Sequence, residues 1–323
     1  MRAVVLGANG FVGSSLSARL LELGHEVIGS VRSMASEPDA APGAVLSVMA
    51  SGLADPVAIA ELARGADVLF CCAGDHDSRS SPRALAWLHV AGVENVVAAA
   101  RFAEVPRVVL LSCADATLTG GERVHWKEDS LLAQPLGAVA RTKLLGEEVA
   151  LHGSDARLTV TSIRPALVWG AGERRNLPAF CAEGLAGGIR LFGAGSNLLS
   201  SAHIDLVVDA LIAAATAPDV GGKAIHVADS DTWTARELFE KLSTALGLPA
   251  PRRSVYAFEH ARALLRARFG GDGPLPEDIA RRAKHGLLDC LRAATLLDLQ
   301  PRTSFDDGLR ALSAWAAKVG GPA

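Results

Sequence analysis

Residues 1–23 read MRAVVLGANGFVGSSLSARLLEL. Ala3–Leu6 is a short apolar run, glycines follow at Gly7, Gly10 and Gly13, and Leu16, Leu20 and Leu23 then fall on one helical face. The order is strand, glycine turn, helix, with Gly24 as a natural stop for the helix. Glycines let a backbone turn tightly and approach a pyrophosphate, whose charge the N-terminus of the helix stabilises. Gly7, Asn9, Gly10, Phe11, Val12 and Gly13 are therefore expected to cradle a nucleotide. A glycine triplet alone marks no more than a tight turn. Its setting gives it weight, because it occupies the first βα turn and five strand-like runs follow.

Those runs are Val27–Val31, Val45–Val48, Val68–Cys72, Val108–Leu111 and Val160–Ile163, apolar without in-and-out alternation, as parallel strands buried on both faces require. Asp55-Pro56 supplies an N-cap and a first-turn proline for a helix ending near Gly65, and further helices are expected over 84–103 and 137–151. Six or more such alternations predict an α/β fold with a Rossmann-type doubly wound parallel sheet. After Arg164 glycine and proline become frequent, and Thr234-Ala-Arg-Glu237 is a capping box opening another helix. Residues 1–165 are expected to form an NADP-binding domain, to which strands and helices of 200–230 return. Residues 166–323 are then mainly a smaller C-terminal substrate-binding region. Gly270–Pro276 (GGDGPLP) is either a mobile lid over a substrate pocket or a plain surface connector.

The 323 residues are half apolar, with a formal net charge of −3 and no block of like charges. A nucleic-acid face or a membrane-binding amphipathic helix would need clustered basic residues, so neither partner is expected. The first residues enter a strand directly and no apolar run is long enough to span a bilayer, so a cytoplasmic protein is expected. Cys71, Cys72, Cys113, Cys181 and Cys290 show neither a CxxC pair nor metal-ligand spacing, so reduced thiols and no metal are the expectation.

The residues after the second strand bear on the cofactor. An acid there would bind a ribose 2′-hydroxyl and repel a 2′-phosphate. This chain has Val31-Arg32-Ser33 and no acid before Glu37. A guanidinium and a hydroxyl suit the 2′-phosphate, which favours NADPH/NADP over NADH; the alternative is a solvated arginine at a strand end.

Four further segments carry a resemblance. Asn95 in VENVVAAA, Arg164-Pro165 with Trp169-Gly170, His203-Ile-Asp205, and Pro301-Arg-Thr-Ser-Phe305-Asp-Asp-Gly-Leu309 occur in that order along the chain. They resemble, respectively, the fourth-helix asparagine, the RPxxxYG segment, the HVDD turn and the C-terminal PxxSFxEGL signature of the extended short-chain dehydrogenases/reductases. That resemblance implies a catalytic Ser or Thr, a Tyr that donates the proton, and a Lys that lowers its pKa and holds the nicotinamide ribose. It also implies cofactor contacts from Cys72, Ala73 and Gly74 after the fourth strand and from Pro165 and Val168 after the sixth. The family's P-x3-Y-x3-K-x3-E frame is present as Pro135, Val139, Lys143 and Glu147, with valine at the tyrosine position. The chain's single tyrosine is Tyr256. Lys143, one of six lysines beside twenty-six arginines, is expected to bind the ribose, the alternative being an exposed helix lysine. Ser112 or Cys113 fills the serine position, Ser112 being the better donor. His125 and His76 are conceivable proton donors, though loop histidines are more often structural or solvated. Ser51-Gly52 replaces the acid that often faces the adenine.

The frame without its tyrosine resembles the atypical ketoreductases that tailor aromatic, angucyclinone-type polyketides. That implies an NADPH-dependent ketoreductase whose substrate supplies part of the acid's work, taking an aromatic ketone and acting as a monomer or homodimer. A non-catalytic NADP(H)-binding redox sensor is the alternative, and a sugar-nucleotide epimerase/dehydratase or 3β-hydroxysteroid dehydrogenase is a further one. Trp126, Trp169, Phe180, Leu198 and Leu199 suit an aromatic ligand or an ordinary core.

Overall fold

The computed structural model describes residues 1–32, 43–50, 52–77, 79–117, 121–130, 135–173, 177–270 and 273–318. In chain order the elements begin β1 (Arg2–Leu6), α1 (Phe11–Glu22), β2 (Glu26–Val31), β3 (Val45–Val48), α2 (Pro56–Ala63), β4 (Val68–Cys71), α3 (Pro82–Ala86), α4 (Gly92–Phe102) and β5 (Arg107–Leu111). They continue with β6 (Arg123–Trp126), α5 (Ala138–His152), β7 (Thr159–Pro165), β8 (Leu167–Trp169), α6 (Leu177–Leu185), β9 (Arg190–Phe192), β10 (Leu198–Leu199), β11 (Ser201–His203), α7 (Ile204–Ala214) and β12 (Lys223–Val227). The last are β13 (Trp233–Thr234), α8 (Ala235–Ala245), β14 (Arg252–Ser254), α9 (Tyr256–Phe269), α10 (Pro276–Ala283), β15 (Gly286–Leu288), α11 (Leu291–Leu297) and α12 (Phe305–Lys318).

Seven parallel strands in the order β12-β7-β5-β4-β1-β2-β3 form the central sheet. Neighbouring residues of a strand face opposite sides, and both sides are covered. Val5, Phe70, Val109 and Ile163 pack with Leu16 and Leu20 of α1 and Leu211 of α7. Val4, Leu69, Val108 and Val160 pack with Ile59 of α2 and Val96 of α4. The chain winds from β1 to β2 and β3 on one side, then crosses to β4 on the other, opening a crevice at the carboxyl ends of β1 and β4.

Local chemistry sets the helix boundaries as the sequence indicates. The Asp55 carboxylate accepts from the N–H groups of Val57 and Ala58 at 3.0 and 3.1 Å, with Pro56 opening α2. Thr234 and Glu237 form the reciprocal box that opens α8. The helix expected over 84–103 differs: it starts at Pro82 and contains a single π-helical turn, Trp87–Ala91, before α4. That turn lies against α5. A Cβ on Gly146 of α5 would stand 1.6 Å from the His89 carbonyl oxygen, so only glycine lets the two helices meet.

Beyond the main sheet, β13, β10, β15 and β6 form a small four-stranded sheet, and β11 pairs with β8 and β14 with β9. A second core there unites Trp169, Leu191, Leu199, Leu238, Leu242, Phe305 and Leu312. In the loop between α9 and α10, residues 271 and 272 lie outside the described residues. The Gly273 carbonyl accepts from Arg79 Nη2 at 3.3 Å, and that of Pro274 from Arg266 Nη1 at 3.1 Å.

Candidate functional site

Backbone walls the crevice. Gly7 has φ +83°, and a Cβ on it would stand 2.9 Å from the Cα and N of Ala73. A Cβ on Gly13 would stand 2.1 Å from the Gly7 carbonyl oxygen. Close approach therefore demands both glycines. Gly10 is exposed and extended, and no side chain caps α1, which leaves the positive end of the helix available to an anion. Asn9 is half-buried, Val12 packs on the core beneath, and the Phe11 ring faces Gly172. On the opposite wall Cys72, Ala73 and Gly74 leave the end of β4, the Cys72 N–H donating to the Leu6 carbonyl at 2.9 Å. Arg32 is exposed just past β2, its stem beside Gly52. Ser33 and Ser51 lie outside the described residues.

Lys143 lies at the carboxyl ends of β4 and β5. Its Nζ would be 3.2 Å from a Cβ on Gly74, and its charge bears on Cys71, Cys72, Cys113 and His89. The side chain is buried, which overturns the exposed-lysine alternative, and it has no ion-pair partner among the described residues. Val139, also buried, stands one turn earlier on α5. Ser112 follows β5; its N–H donates to the Ile163 carbonyl at 2.9 Å, while its buried Oγ has no partner among the described residues. Burial pushes the Cys113 thiol up, which leaves it a poor acid. His125 is exposed with φ +48°, and His76 is exposed after β4. Tyr256 packs with Phe192, Ala263 and Ile279 and stacks on His260.

His89, which spacing alone did not mark, braces this region. Its Nε2 accepts from the Asp75 N–H at 3.1 Å, so Nδ1 carries the proton and faces Thr142 Oγ1 at 2.8 Å. Thr142 Oγ1 in turn donates to the Ala138 carbonyl at 2.9 Å. Burial, reinforced by the Lys143 cation, holds the imidazole pKa down to about 4, so the ring is neutral above that pH. The neutral ring thus ties the loop after β4 to the first turn of α5. Below, Glu147 is fully buried, accepting from Ser162 Oγ at 2.6 Å and pairing with Arg164. Pro165 is buried at the end of β7 opposite Val227, and Val168 is half-buried in β8 opposite Ala202.

Three of the other matched segments, those of Trp169, His203–Asp205 and Pro301–Leu309, converge on one another. Arg302 pairs with Asp205 at 3.1 Å and Asp209 at 2.7 Å, and Thr303 Oγ1 donates to Asp205 at 2.5 Å. Trp169 donates through Nε1 to Asp229 at 2.9 Å and packs on Phe305 and His203. Asn95 donates to the Leu53 carbonyl at 2.9 Å, holding α4 to the turn before α2. Trp169, His203, Asp205, Arg302 and Phe305 join the C-terminal helix and the β8–β11 pair into one block. Trp169 and Leu199 are core residues, with Phe180 packed against them; Trp126 and Leu198 are half-buried.

A model of the NAD dependent epimerase/dehydratase family matches residues 3–228, and the chain belongs to that family. It is 30% identical to the 2-alkyl-3-oxoalkanoate reductase of Stenotrophomonas maltophilia, over 98% of this chain and all of that one. It is 28% identical to the 4-hydroxy-2-methyl-3-oxo-4-farnesyl-3,4-dihydroquinoline-1-oxide ketoreductase of Stigmatella aurantiaca, over 81% of this chain and 78% of that one. Among solved structures the fold is similar to that of MoeE5 in complex with UDP-glucose and NAD, with a TM-score of 0.77, 23% identity and 99% of both chains covered. It is also similar to a UDP-glucose 4-epimerase from Thermotoga maritima, with a TM-score of 0.80, 19% identity and 99% of both chains covered. The cofactor class of the family is a nicotinamide dinucleotide. The crevice fits one: two glycines with no room for a Cβ, an uncapped helix N-terminus, a buried ammonium and an orphaned serine hydroxyl. Among the described residues no helix is long and apolar enough to cross a membrane, and no cluster of His, Cys, Asp and Glu would hold a metal.

Proposed function

We propose that this protein is an NADPH-dependent ketoreductase reducing one carbonyl of a polycyclic aromatic, angucyclinone-like polyketide, a step of antibiotic tailoring, with the proton supplied by the substrate's own hydroxyl. One observation carries the reading. On α5 the lysine is in place and buried, while one turn before it Val139 offers nothing to donate. The names of the two relatives, both reductases of a carbonyl, support the reaction class.

The bound cofactor supplies the hydride. Lys143 holds the ribose hydroxyls and keeps positive charge beside the reacting carbonyl. Ser112 donates its free Oγ–H to the carbonyl oxygen and so orients it. Arg32 takes the 2′-phosphate, with no acid preceding Glu37 in the sequence to repel it. A phenol beside the carbonyl stands where a positioned acid would, because an intramolecular donor needs no separate placement.

With 8-hydroxy-1-tetralone as a simple hydroxyaryl ketone, the protein should consume NADPH and yield an equivalent of alcohol. Calorimetry should give NADPH binding at least about tenfold tighter than NADH, a difference of ~1.4 kcal/mol, and Arg32→Ala should remove it. Tight NADPH binding without turnover of any hydroxyaryl ketone would make the protein a non-catalytic NADP(H) binder. Equal affinity for the two nucleotides would refute the part given to Arg32.

A further inference from the structure

We propose that Arg123 and Trp126 of β6, with Arg281 of α10, form an anion subsite beside the reacting carbonyl that receives an acidic oxygen of the substrate. The inference rests on the ketoreductase reading and says what else the ketone must carry.

The strand β6 is built to turn these side chains one way. Arg123 pairs with Gly286 and Trp126 with Leu288, so three steps on β6 match two on β15 and the strand bulges between them. His125 sits in the bulge with φ +48°. The extra residue returns Arg123 and Trp126 to the same face.

What they present there is unanswered donors. The Arg123 side chain is only 6% exposed. Its Nη1 donates to the Ala114 carbonyl at 3.1 Å, but its Nε has no partner among the described residues. The half-buried Trp126 has a buried Nε1 that is likewise unpartnered. Ser112 Oγ is the third such group. His226 lies close by, among Arg164, Arg123 and the main chains of Asp289 and Trp126, which its ring meets. A buried donor without an acceptor costs about 1–3 kcal/mol, and three of them are a large expense for a purely structural arrangement.

Two guanidinium groups also meet here. Arg123 and Arg281 approach one carboxylate, that of Asp115, from different elements; Arg123 Nη2 is 3.7 Å from it and Arg281 pairs with it through Nε. Lys143 and Arg281 both bear on Cys113, the residue after Ser112, so the pair adjoins the catalytic edge of the sheet. Asp278, which caps α10, lies 3.5 Å from Arg281, and Glu277 is turned toward Gly137 and Arg141. Arg123 and Arg281 thus share the Asp115 carboxylate, Arg281 reaching Asp278 as well, and the unanswered N–H donors of Arg123 and Trp126 stand beside them. A carboxylate or phenolate oxygen is acceptor-only and answers those donors.

Two sources supply that oxygen: the carboxylate of a 3-oxo acid, or the phenol of a hydroxyaryl ketone as it ionises. The test compares 3-oxododecanoic acid with its methyl ester, and 8-hydroxy-1-tetralone with its methyl ether, in binding to the NADP-loaded protein. In the wild type one acidic member should bind at least about tenfold tighter than its methylated partner, and the pair that does so names the source. Arg281→Gln should reduce that preference to near unity while NADP affinity and the methylated partner's affinity hold. Arg123→Lys, which keeps the charge but loses the fork, should reduce it in part. Equal binding within both pairs in the wild type, or an undiminished preference in both variants, overturns the subsite. Failure to oxidise NADPH with any ketone would instead overturn the ketoreductase reading, because binding is measured without turnover.

Discussion

Methylating the hydroxyl beside the carbonyl of a hydroxyaryl ketone should lower kcat by more than about 10², the usual loss on removing a general acid. Hydride goes to the carbonyl carbon, the carbonyl oxygen becomes an alkoxide, and the neighbouring phenol hands it a proton to leave a phenolate that solvent reprotonates. A methyl ether has no proton to give. Val139 cannot replace it, and the single tyrosine of the chain lies in α9, packed with Phe192 and Ile279. Ser112→Ala and His125→Ala should each cost less than about 10² in kcat, since the part proposed for the serine is only to orient the carbonyl and His125 is an exposed bulge residue. The comparison must be made at saturating ketone, so that weaker binding of the ether is not read as slower chemistry. Normal turnover of the ether, with one of the two alanine variants dead, would make that residue the acid and end the substrate-assisted mechanism.

Lys143→Ala should lower kcat with the hydroxyaryl ketone by at least about 10² while leaving thermal stability within a few degrees. The two effects separate because the ammonium is buried with no ion-pair partner among the described residues, so little pairing offsets its desolvation. Alanine removes that cost and is a good helix former, although it leaves a small cavity near Gly74. Steady-state kinetics beside calorimetric melting would check both halves. Unchanged kcat would reduce Lys143 to a packing residue; collapse of the fold would show that its stem matters more than its charge.

The parallel sheet was legible because strands buried on both faces are written as unbroken apolar runs, as β1, β2, β4, β5 and β7 are; the apolar run of β3 instead forms the edge of the sheet, with Val45 and Val48 exposed. The small sheets were not. β8, β10, β11, β13 and β15 are two or three residues each, and β6 finds β15 some 160 residues later, so their pairing is set by packing rather than by local pattern. The same division runs through the site. Gly7, Gly13, Ser112 and Lys143 could be read because each sits at a fixed distance from a strand end or within a spaced frame. The brace from His89 to Thr142 and the convergence of Arg123 and Arg281 on Asp115 exist only through space. The burial of Lys143 was also hidden, since it depends on Gly146 letting α5 sink onto the π turn.

The return of β12 to the edge of the main sheet, after the chain has built β8 to β11 elsewhere, has a bearing on how such proteins can be recombined. A crossover at residue 166, where the texture of the sequence changes, would carry α7 and the outermost parallel strand away with the C-terminal half. It would strip the α7 helix that lies beside α1 from the face of the dinucleotide layer. A crossover after Val227 leaves that layer whole and exchanges β13 through α12 as a unit. Trp169 and Asp205 on the retained side would still need their partners Asp229, Phe305 and Arg302 on the incoming one. Descent with a changed substrate and an unchanged cofactor is therefore easiest through a junction at the far edge of the sheet, and hardest through the one the sequence advertises.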